Sequence, residues 1–544
     1  MAASAEIMKA IFCKNKEEHP EPLKAEVQGE IPRWMEGTLI RNGPGMHTIG
    51  ESKYNHWFDG MALLHSFTIK NGEVFYRSKY LRSDTYNCNM EADRIVVSEF
   101  GTMAYPDPCK NVFAKAFCYL SHTIPEFTDN CLIGIMKNGE DYYATSEVNF
   151  LRKIDPQSLE TLEKVDYKKY MAINLVTAHP HYDSAGNIFN IGTSIVDKGK
   201  TKYVFFKIPP SAPANEKNKK KAGWKCLEVI CTIPSRSLFH PSYYHSFGIS
   251  ENYILFLEQP FKLDILKMAT AYIRGVNWAS CIAFNKDDKT WIHLIDKRTK
   301  KEVSAKFCAD AMIVFHHVNA YEEEDHMVFD VITYADGSLH QMFYLKNLEG
   351  HFDNNVKLSC IPVCKRFVLP LQYDKDAEIG TNLVRLPSTT ATAVKEKDGS
   401  IYCQPEVLCE GIEFPRINYD YNGKKYRYIF AVNVNWGPVS TQIIKFDTLT
   451  KKSSYWEEEH CWPSEPVFVP CPNAKEEDDG IIMSTIVTVE PQKPAFLLIL
   501  DAKTFKEIAR AMVNVELHLD LHGIFIPKED LKAEHETDLH KQHE

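Results

Sequence analysis

Four histidines stand in apolar or glycine-bounded contexts that are unusual for a titratable side chain. They are His179 in TAHPH, His245 in PSYYHSFG, His316 in FHHVNAYE and His522 in LHGIF. Imidazole is the commonest metal ligand in proteins. These positions are too far apart for one supersecondary unit, but separate repeats of a closed structure could direct all four side chains to a common axis. For any single histidine, a hydrogen-bonded place in the core is the competing interpretation.

Three glutamates also lie among apolar, strand-like residues: Glu147 in ATSEVNF, Glu413 in GIEFPRINY and Glu465 in PSEPVFV. An ionised carboxylate is costly in such surroundings unless it is paired. A metal-bound imidazole offers a partner, because its second ring nitrogen carries an N–H that a carboxylate accepts. An ordinary ion pair with lysine or arginine is the competing explanation for each glutamate.

The remaining sequence excludes several function classes. It has no phosphate-binding loop, no G-x-G-x-x-G after a strand, no H-E-x-x-H and no zinc-ribbon spacing. Acidic residues outnumber basic ones, 73 to 63, for a formal charge of −10, which argues against a nucleic-acid partner. The 15 cysteines lack a C-x-x-C pair and indicate reduced thiols, as in the cytosol. Neither a signal or transit peptide nor an apolar run of the ~20 residues needed to span a bilayer is recognisable, so we expect a cytosolic protein.

Short strand-like segments dominate the chain and predict an all-β fold. Asn71-Gly72, between two alternating runs, predicts a β-hairpin. Apolar residues at helical spacing predict helices over residues 111–120 and 261–274. The clearest strand candidates are YVFFKI from Tyr203, YILFLE from Tyr253, MIVFHHV from Met312, YRYIFAV from Tyr426 and GIIMSTIV from Gly480.

A weak repeat favours a propeller. An apolar strand ends in aspartate and turns through threonine or serine at Asp155, Asp296, Asp447 and Asp501. The intervals are roughly whole multiples of the ~40 to 50 residues of a propeller blade, and aspartate at such a corner can accept hydrogen bonds from its own turn amides. Any hairpin-rich protein can contain such a pattern by chance, which is the alternative.

From about Glu21 to Phe525 the sequence resembles the carotenoid cleavage oxygenase family. The resemblance implies an all-β, seven-bladed β-propeller with a cap of helices and loops over an axial metal site. We therefore expect a single domain over residues 1–526, and the charged composition of residues 527–544 predicts a disordered tail. The segments that carry the resemblance are RNGPG, YNHWFDG, SEFGTMAYPDPCKN, TAHPHYD, PSYYHSFG, FHHVNAYE, EFPRINY, PSEPVFVP and LHGIF.

Carried over by residue, the resemblance implies a ligand set for one Fe²⁺ per chain. The ligands would be the four histidines, and Glu147, Glu413 and Glu465 would accept hydrogen bonds from three of them. Four neutral imidazoles leave the ion its full charge and, with six-fold coordination, two open positions for oxygen chemistry. We expect O₂ as co-substrate and no haem, flavin, nicotinamide or oxoglutarate.

The resemblance also implies a polyene substrate. The expected reaction is O₂-dependent cleavage of the central 15,15′ double bond of β-carotene, and of related provitamin A carotenoids and apocarotenoids, to retinal. Aromatic faces of Tyr243, Tyr334 and Trp462 could stabilise cationic character in the polyene, with core packing as the alternative. Ser146 stands where many relatives have threonine. The smaller serine side chain would leave more room beside the metal.

Because carotenoids are hydrophobic, we expect substrate uptake through transient contact with a membrane surface. Cys109 matches a position that some relatives acylate, and one acyl chain gives only marginal attachment. A closed propeller has no free edge, so we expect a monomer. The predicted membrane-facing residues, for which burial under the cap is the alternative, are Val112, Phe113, Phe117, Phe261, Ile265 and Met268.

Three other functions remain open from the sequence. Within the family, the chain could cleave a carotenoid at an eccentric bond, or isomerise and hydrolyse a retinyl ester without consuming O₂. The ligand set is common to all of these enzymes and does not choose among them. From a different class, a propeller that only binds a carotenoid or a partner would need no metal.

Overall fold

The computed structural model describes residues 2–104, 127–211, 223–349, 361–434, 441–489 and 493–531. No helix in these ranges is long and apolar enough to cross a membrane. The α-helices found there are short: α1 (Ala2–Phe12), α2 (Asp84–Glu91), α3 (Ile265–Ala269), α4 (Ala271–Arg274), α5 (Ser338–Met342) and α6 (Leu345–Leu348).

Strands make up most of the ordered structure, as the sequence predicts. Those up to residue 263 are β1 (Leu23–Lys24), β2 (Glu26–Gly29), β3 (Gly37–Met46), β4 (Thr48–Ile49), β5 (Ser52–Lys53), β6 (Met61–Lys70), β7 (Glu73–Tyr80), β8 (Gly134–Asn138), β9 (Asp141–Thr145), β10 (Phe150–Ile154), β11 (Thr161–Asp166), β12 (Leu175–Val176), β13 (His181–Tyr182), β14 (Ile188–Asp197), β15 (Lys200–Ile208), β16 (Glu228–Pro234), β17 (Gly248–Ile249), β18 (Tyr253–Glu258) and β19 (Phe261–Leu263).

The strands after residue 263 continue the pattern of short, mostly antiparallel neighbours, with one parallel pair, β23 and β28. They are β20 (Ile282–Phe284), β21 (Thr290–Asp296), β22 (Lys301–Glu302), β23 (Phe307–Ala309), β24 (Ile313–Glu323), β25 (His326–Tyr334), β26 (Val363–Pro370), β27 (Thr392–Lys395), β28 (Ile401–Gln404), β29 (Glu406–Glu410), β30 (Ile412–Arg416), β31 (Tyr428–Asn433), β32 (Gln442–Asp447), β33 (Lys452–Trp456), β34 (Cys461–Pro463), β35 (Val467–Pro470), β36 (Gly480–Thr488), β37 (Ala495–Asp501), β38 (Glu507–Val513) and β39 (His522–Pro527).

Within the described ranges the strands form seven sheets of four or more strands and two small ribbons, β4-β5 and β19-β20. Most sheets follow one another along the chain, but β27 and β28 return to the sheet that contains β17 and β23 after β24–β26 have begun the next one. Two sheets, those containing β39 and β38, mix strands from both ends of the chain. In spatial order the larger sheets are β1-β7-β6-β3-β39, β11-β10-β9-β8, β12-β14-β15-β16 with β13 on β14, β17-β18-β21-β23-β28-β27 with β22 on β21, β24-β25-β26-β29, β30-β31-β32-β33, and β2-β38-β37-β36-β34 with β35 on β36.

These sheets form a β-propeller, which confirms the predicted all-β propeller architecture. The ring closes where N-terminal β3 pairs with C-terminal β39, Leu39 opposite Phe525. Neighbouring sheets contact one another through their inner strands, for example β39 with β8, β17 with β24 and β24 with β30. The inner strands therefore surround a shared axis, and the candidate site lies on that axis.

The main core forms where the faces of adjacent sheets meet. One continuous cluster of buried apolar side chains includes Leu39, Ala144, Val328, Ile429 and Leu497, from five different sheets. Burial of such side chains is worth roughly 25 cal/mol per Å². The packing between sheets therefore fixes the strands that carry the site.

The five strand candidates and the hairpin are confirmed. In the hairpin, Lys70 pairs with Glu73 across the turn. Asn71 and Gly72 both have positive φ, 54° and 76°, as a two-residue turn of type I′ requires.

The predicted helix over residues 261–274 is wrong at its start. Phe261–Leu263 is strand β19, which pairs with β20, Phe261 opposite Phe284. Asp264 then caps α3, its side chain accepting a hydrogen bond from the Lys267 amide, and Gly275 at φ 64° ends α4. Apolar spacing alone did not reveal the pairing with a strand twenty residues away. The predicted helix over residues 111–120 lies outside the described residues, as do Cys109, Val112, Phe113 and Phe117.

The C-terminal prediction also needs correction. Pro527 is the last residue of β39, and Lys528–Asp530 form a 3-10 turn. The Lys528 ammonium donates to Glu36, at 2.5 Å. The predicted tail therefore does not begin at residue 527, and residues 532–544 lie outside the described part of the chain.

Candidate metal centre

The four histidines singled out from the sequence converge. Their candidate ligand atoms all lie within 4.8 Å of one another. The His179 ring centroid is 4.5 Å from those of His245 and His522, and 5.3 Å from that of His316. The predicted convergence of distant histidines is thus confirmed, while their role as ligands stays a prediction.

Each histidine is placed by an inner strand or by the segment leading into one. His179 lies between β12 and β13, His245 precedes β17, His316 lies in β24, and His522 begins β39. The β24 register shifts on both sides of His317. Such bulges re-aim side chains and are frequent beside functional sites, and here the bulge accompanies the turn of His316 towards the axis.

The three glutamates contact three of the histidines. Glu413 Oε2 lies 2.6 Å from His316 Nδ1, Glu465 Oε1 lies 2.8 Å from His522 Nδ1, and Glu147 contacts His245 Nδ1. A carboxylate can only accept, so each Nδ1 carries the N–H and donates it. The lone pair of each imidazole is then on Nε2. Among the described residues, no carboxylate holds His179 in the same way.

The donor atoms fit a metal ion. His179 Nε2 and His245 Nε2 are only 2.8 Å apart, and the buried Nε2 of His316 has no hydrogen-bond partner within the described ranges. A buried, unpaired nitrogen is costly unless something binds it. Four nitrogens directed at one point suit a transition-metal ion.

Burial and the neighbouring histidines lower the pKa of two of the four imidazoles, those of His179 and His522. Burial, followed by the neighbouring histidines, lowers the pKa of His179 well below its usual range. Burial also lowers the pKa of His522 to about 4, against the opposing effect of Glu465. His316 differs, because Glu413 outweighs burial and raises its pKa. A raised pKa means that the His316 imidazole binds an additional proton more readily. A metal must displace this proton, so we expect metal binding to weaken at low pH.

The three carboxylates are held by different groups. The Tyr243 hydroxyl donates to Glu147 Oε2 at 2.8 Å, and the Tyr334 hydroxyl donates to Glu413 Oε1 at 2.8 Å. Glu465 instead accepts from two guanidinium groups, those of Arg41 at 3.3 Å and Arg416 at 3.1 Å. The arginines, with His522, outweigh burial and lower the pKa of Glu465 to about 2.

Arg41 links this site to a second buried group that sequence reasoning missed. Its guanidinium group donates to Asp520 Oδ1 at 2.5 Å. The other carboxylate oxygen, Asp520 Oδ2, lies 2.8 Å from His65 Nε2 and accepts a hydrogen bond from the Thr485 hydroxyl at 2.7 Å. Arg41 is fully buried. Arg41 is not among the predicted site residues, although a basic residue after the apolar run TLI demands acidic partners by the argument that identified the glutamates.

Phe414 is a strained residue beside the histidines. Its φ is 51°, which is uncommon for a bulky side chain. Its amide donates to Glu413 Oε2 at 2.6 Å, and its ring centroid lies 5.6 Å from that of His316 and 5.4 Å from that of His522. The strained backbone thus brings an amide to the carboxylate and an aromatic ring against two imidazoles, and strain of this kind collects at functional sites.

A cavity adjoins the histidine cluster. Glu147 and Tyr243 are part of its wall, and the remaining wall is mostly apolar, including Leu175, Met268 and Trp278. Since Glu147 contacts His245, the cavity comes within one side chain of the candidate metal centre, although none of the four histidines is part of its wall. Its mostly apolar wall suits a hydrophobic ligand.

The other predicted substrate residues lie elsewhere. The Ser146 hydroxyl donates to the Phe150 carbonyl at 2.8 Å, so it is engaged by the backbone. Tyr334 is buried and holds Glu413. Trp462 is buried in β34, and its Nε1 has no hydrogen-bond partner in the described part of the chain. Of the aromatic candidates, only Tyr243 is part of the cavity wall.

The predicted membrane-facing set is wrong for Phe261 and Met268, which are buried. Ile265 is partly exposed. The exposed apolar side chains of this region are Leu266 and Ile273, at 54% and 66% exposure. Because β19 takes the first turn of the predicted helix, the exposed face is formed by residues other than those expected.

Comparison with known proteins supports a common family. A family model described as retinal pigment epithelial membrane protein matches residues 12–527. The β,β-carotene 15,15′-dioxygenase of Gallus gallus is 72% identical over 529 residues, which cover 97% of this chain and 100% of that protein. The Homo sapiens protein of the same name is 66% identical and covers 96% of this chain and 95% of its own length.

A more distant relative and a solved structure extend the comparison. The mitochondrial carotenoid-cleaving dioxygenase of Homo sapiens is 41% identical, covering 94% of this chain and 89% of that protein. A mutant of the Synechocystis apocarotenoid oxygenase superposes with a TM-score of 0.74 at 21% identity, covering 96% of this chain and 99% of that one. The solved structure therefore supports the fold, and the curated sequences support the family.

Proposed function

This chain belongs to the carotenoid oxygenase family matched by the retinal pigment epithelial membrane protein model, and on that premise we propose how it acts. It is a carotenoid-cleaving dioxygenase, an enzyme that incorporates both atoms of O₂. Its reaction is cleavage of the central 15,15′ double bond of β-carotene, which gives two molecules of retinal. The observation that carries this assignment is identity of 66% to 72% with β,β-carotene 15,15′-dioxygenases over nearly the whole chain.

We propose that the fold is a single domain of seven blades with a cap. Support for seven blades is that the described residues form seven sheets of four or more strands. Support for the cap is that α3 and the segment at Trp278 contribute to the wall of the cavity beside the histidines. We include related provitamin A carotenoids and apocarotenoids among the proposed substrates, because they share the apolar polyene and the cavity wall is mostly apolar.

We propose Fe²⁺ as the metal, held by His179, His245, His316 and His522. When bound, this ion would supply the redox chemistry that O₂ needs. The protein's part is orientation: Glu147, Glu413 and Glu465 accept the Nδ1–H of three imidazoles, and so keep each Nε2 directed at the centre. Such hydrogen bonds also raise the basicity of the ligand.

The main role of Tyr243 and Tyr334 is to position the carboxylates of Glu147 and Glu413, and contact with the polyene is secondary. Their hydroxyls donate to Glu147 and Glu413, which fixes the imidazoles in turn. Because Tyr243 is also part of the cavity wall, its ring remains the aromatic face best placed to stabilise cationic character in the polyene.

We also propose that substrate enters from a membrane surface. Exposed Leu266 and Ile273 have Lys267 and Arg274 beside them, and Met268 of the same segment belongs to the cavity wall. Apolar side chains edged by cations suit the interface of a bilayer. The protein would be a cytosolic monomer that contacts membranes transiently.

One incubation separates the enzyme functions. The purified protein with Fe²⁺ and β-carotene under air should yield retinal as the aldehyde product, identified by chromatography. A longer apocarotenal would indicate eccentric cleavage, and conversion of retinyl ester without O₂ uptake would indicate the isomerase.

Metal analysis separates the enzyme from a propeller that only binds. We expect close to one iron per chain and loss of iron binding in His245→Ala. Protein that bleaches no carotene when loaded with iron would contradict the proposed reaction.

A further inference from the structure

A second carboxyl group, that of Glu99, lies in the cavity wall. The wall around it is largely apolar, with Phe100, Phe127 and Trp278 among its residues. Glu99 takes no part in holding the histidines, since its side-chain hydrogen bond goes to Thr128. A carboxyl group in such a wall needs a reason, because burying it is costly.

Other polar groups of the cavity wall are already engaged. The Ser242 hydroxyl donates to the Gln259 carbonyl at 2.8 Å, and the Thr193 and Tyr244 hydroxyls pair at 2.9 Å. In Glu99, Oε1 accepts from the Thr128 hydroxyl at 2.6 Å, whereas Oε2 has no partner among the described residues, whether a hydrogen-bond donor or a cation. Oε2 is therefore available to a ligand in the cavity.

The surroundings keep the Glu99 carboxyl neutral. The residue is only 7% exposed. Burial raises its pKa well above the usual range, and nearby Asp59 and Asp129 act in the same direction, against the Thr128 hydrogen bond. Asp59 is itself buried, with a pKa raised to about 7. Because Oε1 accepts a hydrogen bond from the Thr128 hydroxyl, the acid proton of Glu99 belongs on Oε2, from which it can be donated to a ligand.

The backbone holds this donor in place. The Glu99 amide donates to the Thr102 carbonyl at 2.8 Å. The Thr102 hydroxyl and the Gly101 amide donate to the two oxygens of Asp59, at 2.6 and 2.8 Å. A donor fixed before the ligand arrives loses little conformational entropy on binding.

We propose that Glu99 is a specificity-determining residue that donates a hydrogen bond from Oε2 to a terminal oxygen of an oxygenated polyene. That oxygen is the aldehyde carbonyl of an apocarotenal or a hydroxyl on a ring, since both accept. The inference rests on the proposed function, because it takes polyenes as the ligands of this cavity. A hydrocarbon carotene offers no acceptor and leaves the acid proton unsatisfied, so Glu99 favours the oxygenated ligand.

Binding without turnover tests this role. Dissociation constants of β-apo-8′-carotenal, a ring-hydroxylated β-carotene and β-carotene would be measured without O₂, by quenching of tryptophan fluorescence, since Trp278 is in the cavity wall. For Glu99→Leu, the preference for at least one oxygenated ligand over β-carotene should fall about three- to tenfold, the worth of one hydrogen bond. Glu99→Gln keeps an N–H donor and should retain most of the preference.

Controls separate this effect from damage to the fold. Glu163→Leu, at an exposed site in β11, should leave the preference unchanged. In the wild type, the infrared C=O band of a protonated carboxyl should shift when the apocarotenal binds, and Glu99→Gln should lack that shift; this second readout holds even if Glu99→Leu folds poorly. An unchanged preference in a folded Glu99→Leu, or no band shift, overturns the proposal. Aerobic cleavage of β-carotene by the wild type tests the proposed function separately.

Discussion

At the scale of single residues, the outer carboxylates decide how firmly the histidines face one point. Glu413 has three donors of different kinds, the His316 ring, the Tyr334 hydroxyl and the Phe414 amide. His316 and these hydrogen bonds outweigh burial and lower the pKa of Glu413. A charged Glu413 therefore polarises His316 and fixes its ring.

Replacing Glu413 by glutamine should weaken metal binding about 10- to 100-fold, the usual cost of losing such an outer hydrogen bond. The amide removes the negative charge while keeping the size of the side chain. The measurement is the metal dissociation constant by competition with a chelator. Glu410→Gln, at the exposed last position of β29, should bind metal as the wild type does. Unchanged affinity in Glu413→Gln would show that the carboxylate does not support His316.

His293, outside the site, provides a pH-dependent contribution to stability. Its Nδ1 contacts Glu302 at 2.6 Å and its Nε2 contacts Glu258 at 3.0 Å. Burial alone would lower the pKa of His293, but the two glutamates outweigh it and raise that pKa. Because the pKa of His293 is higher in the folded than in the unfolded protein, its stabilisation is fully present at pH values below the unfolded-state pKa of about 6.5. That stabilisation is lost as the pH rises through the folded-state pKa.

The stability difference between wild type and His293→Gln should accordingly shrink as pH rises from about 6 to 9. Urea unfolding midpoints across that range measure it. His240→Gln, whose side chain is half exposed at 53%, is the control and should show no comparable trend. A difference that grows with pH would mean that His293 is not held protonated by the two glutamates.

At the scale of elements, the four aspartate corners prove to be one recurring turn. Each aspartate carbonyl accepts from the amide four residues later, at 2.8 to 2.9 Å. The residues that donate there all have φ of 57° or 58°, namely Leu159, Lys300, Lys451 and Phe505. The weak sequence repeat is therefore a real structural repeat, at the hairpin between the outer strands.

Asp155→Ala should lower the free energy of unfolding by about 1 kcal/mol, as for the loss of other side-chain caps. The Asp155 carboxylate accepts from the amides of Gln157 and Ser158, at 2.9 and 2.8 Å, and alanine leaves both without that partner. Denaturant unfolding measures the loss. Glu51→Ala, at an exposed position, is the control. An effect no larger than that of the control would mean that water replaces the carboxylate at no cost.

Local sequence predicted the strands, the hairpin and the aspartate turns, because each depends on neighbouring residues. It also predicted the histidines and glutamates, because charged or titratable groups in apolar strands require partners. It did not predict that Phe261 would join a strand, nor that Arg41 would hold Glu465. Both depend on pairing with another segment of the chain. The apolar run before Arg41 indicates that it needs an acidic partner, but a single sequence does not identify which residue that is.

At the scale of the whole molecule, the site and the closure of the propeller are the same structure. Strand β39 closes the ring on β3, with Asn42 opposite His522 and Arg41 opposite Gly523. The Gly523 amide donates to Glu465 at 3.3 Å. Metal binding would therefore join the first and last parts of the chain, and folding of the ring would complete the site.

Gly523→Ala tests this coupling. A Cβ at Gly523 would lie 2.2 Å from the Ile40 carbonyl oxygen and 3.0 Å from Arg41 Cα, so β39 must move away from β3. Overpacking of this kind costs about 1 to 3 kcal/mol, and His522 moves with the strand. We expect a lower melting temperature together with weaker metal binding. Gly337→Ala, whose Cβ would meet no atom closer than 3.6 Å, should change neither. A Gly523→Ala protein that loses stability but binds metal as tightly as the wild type would show that closure of the ring and assembly of the site are independent.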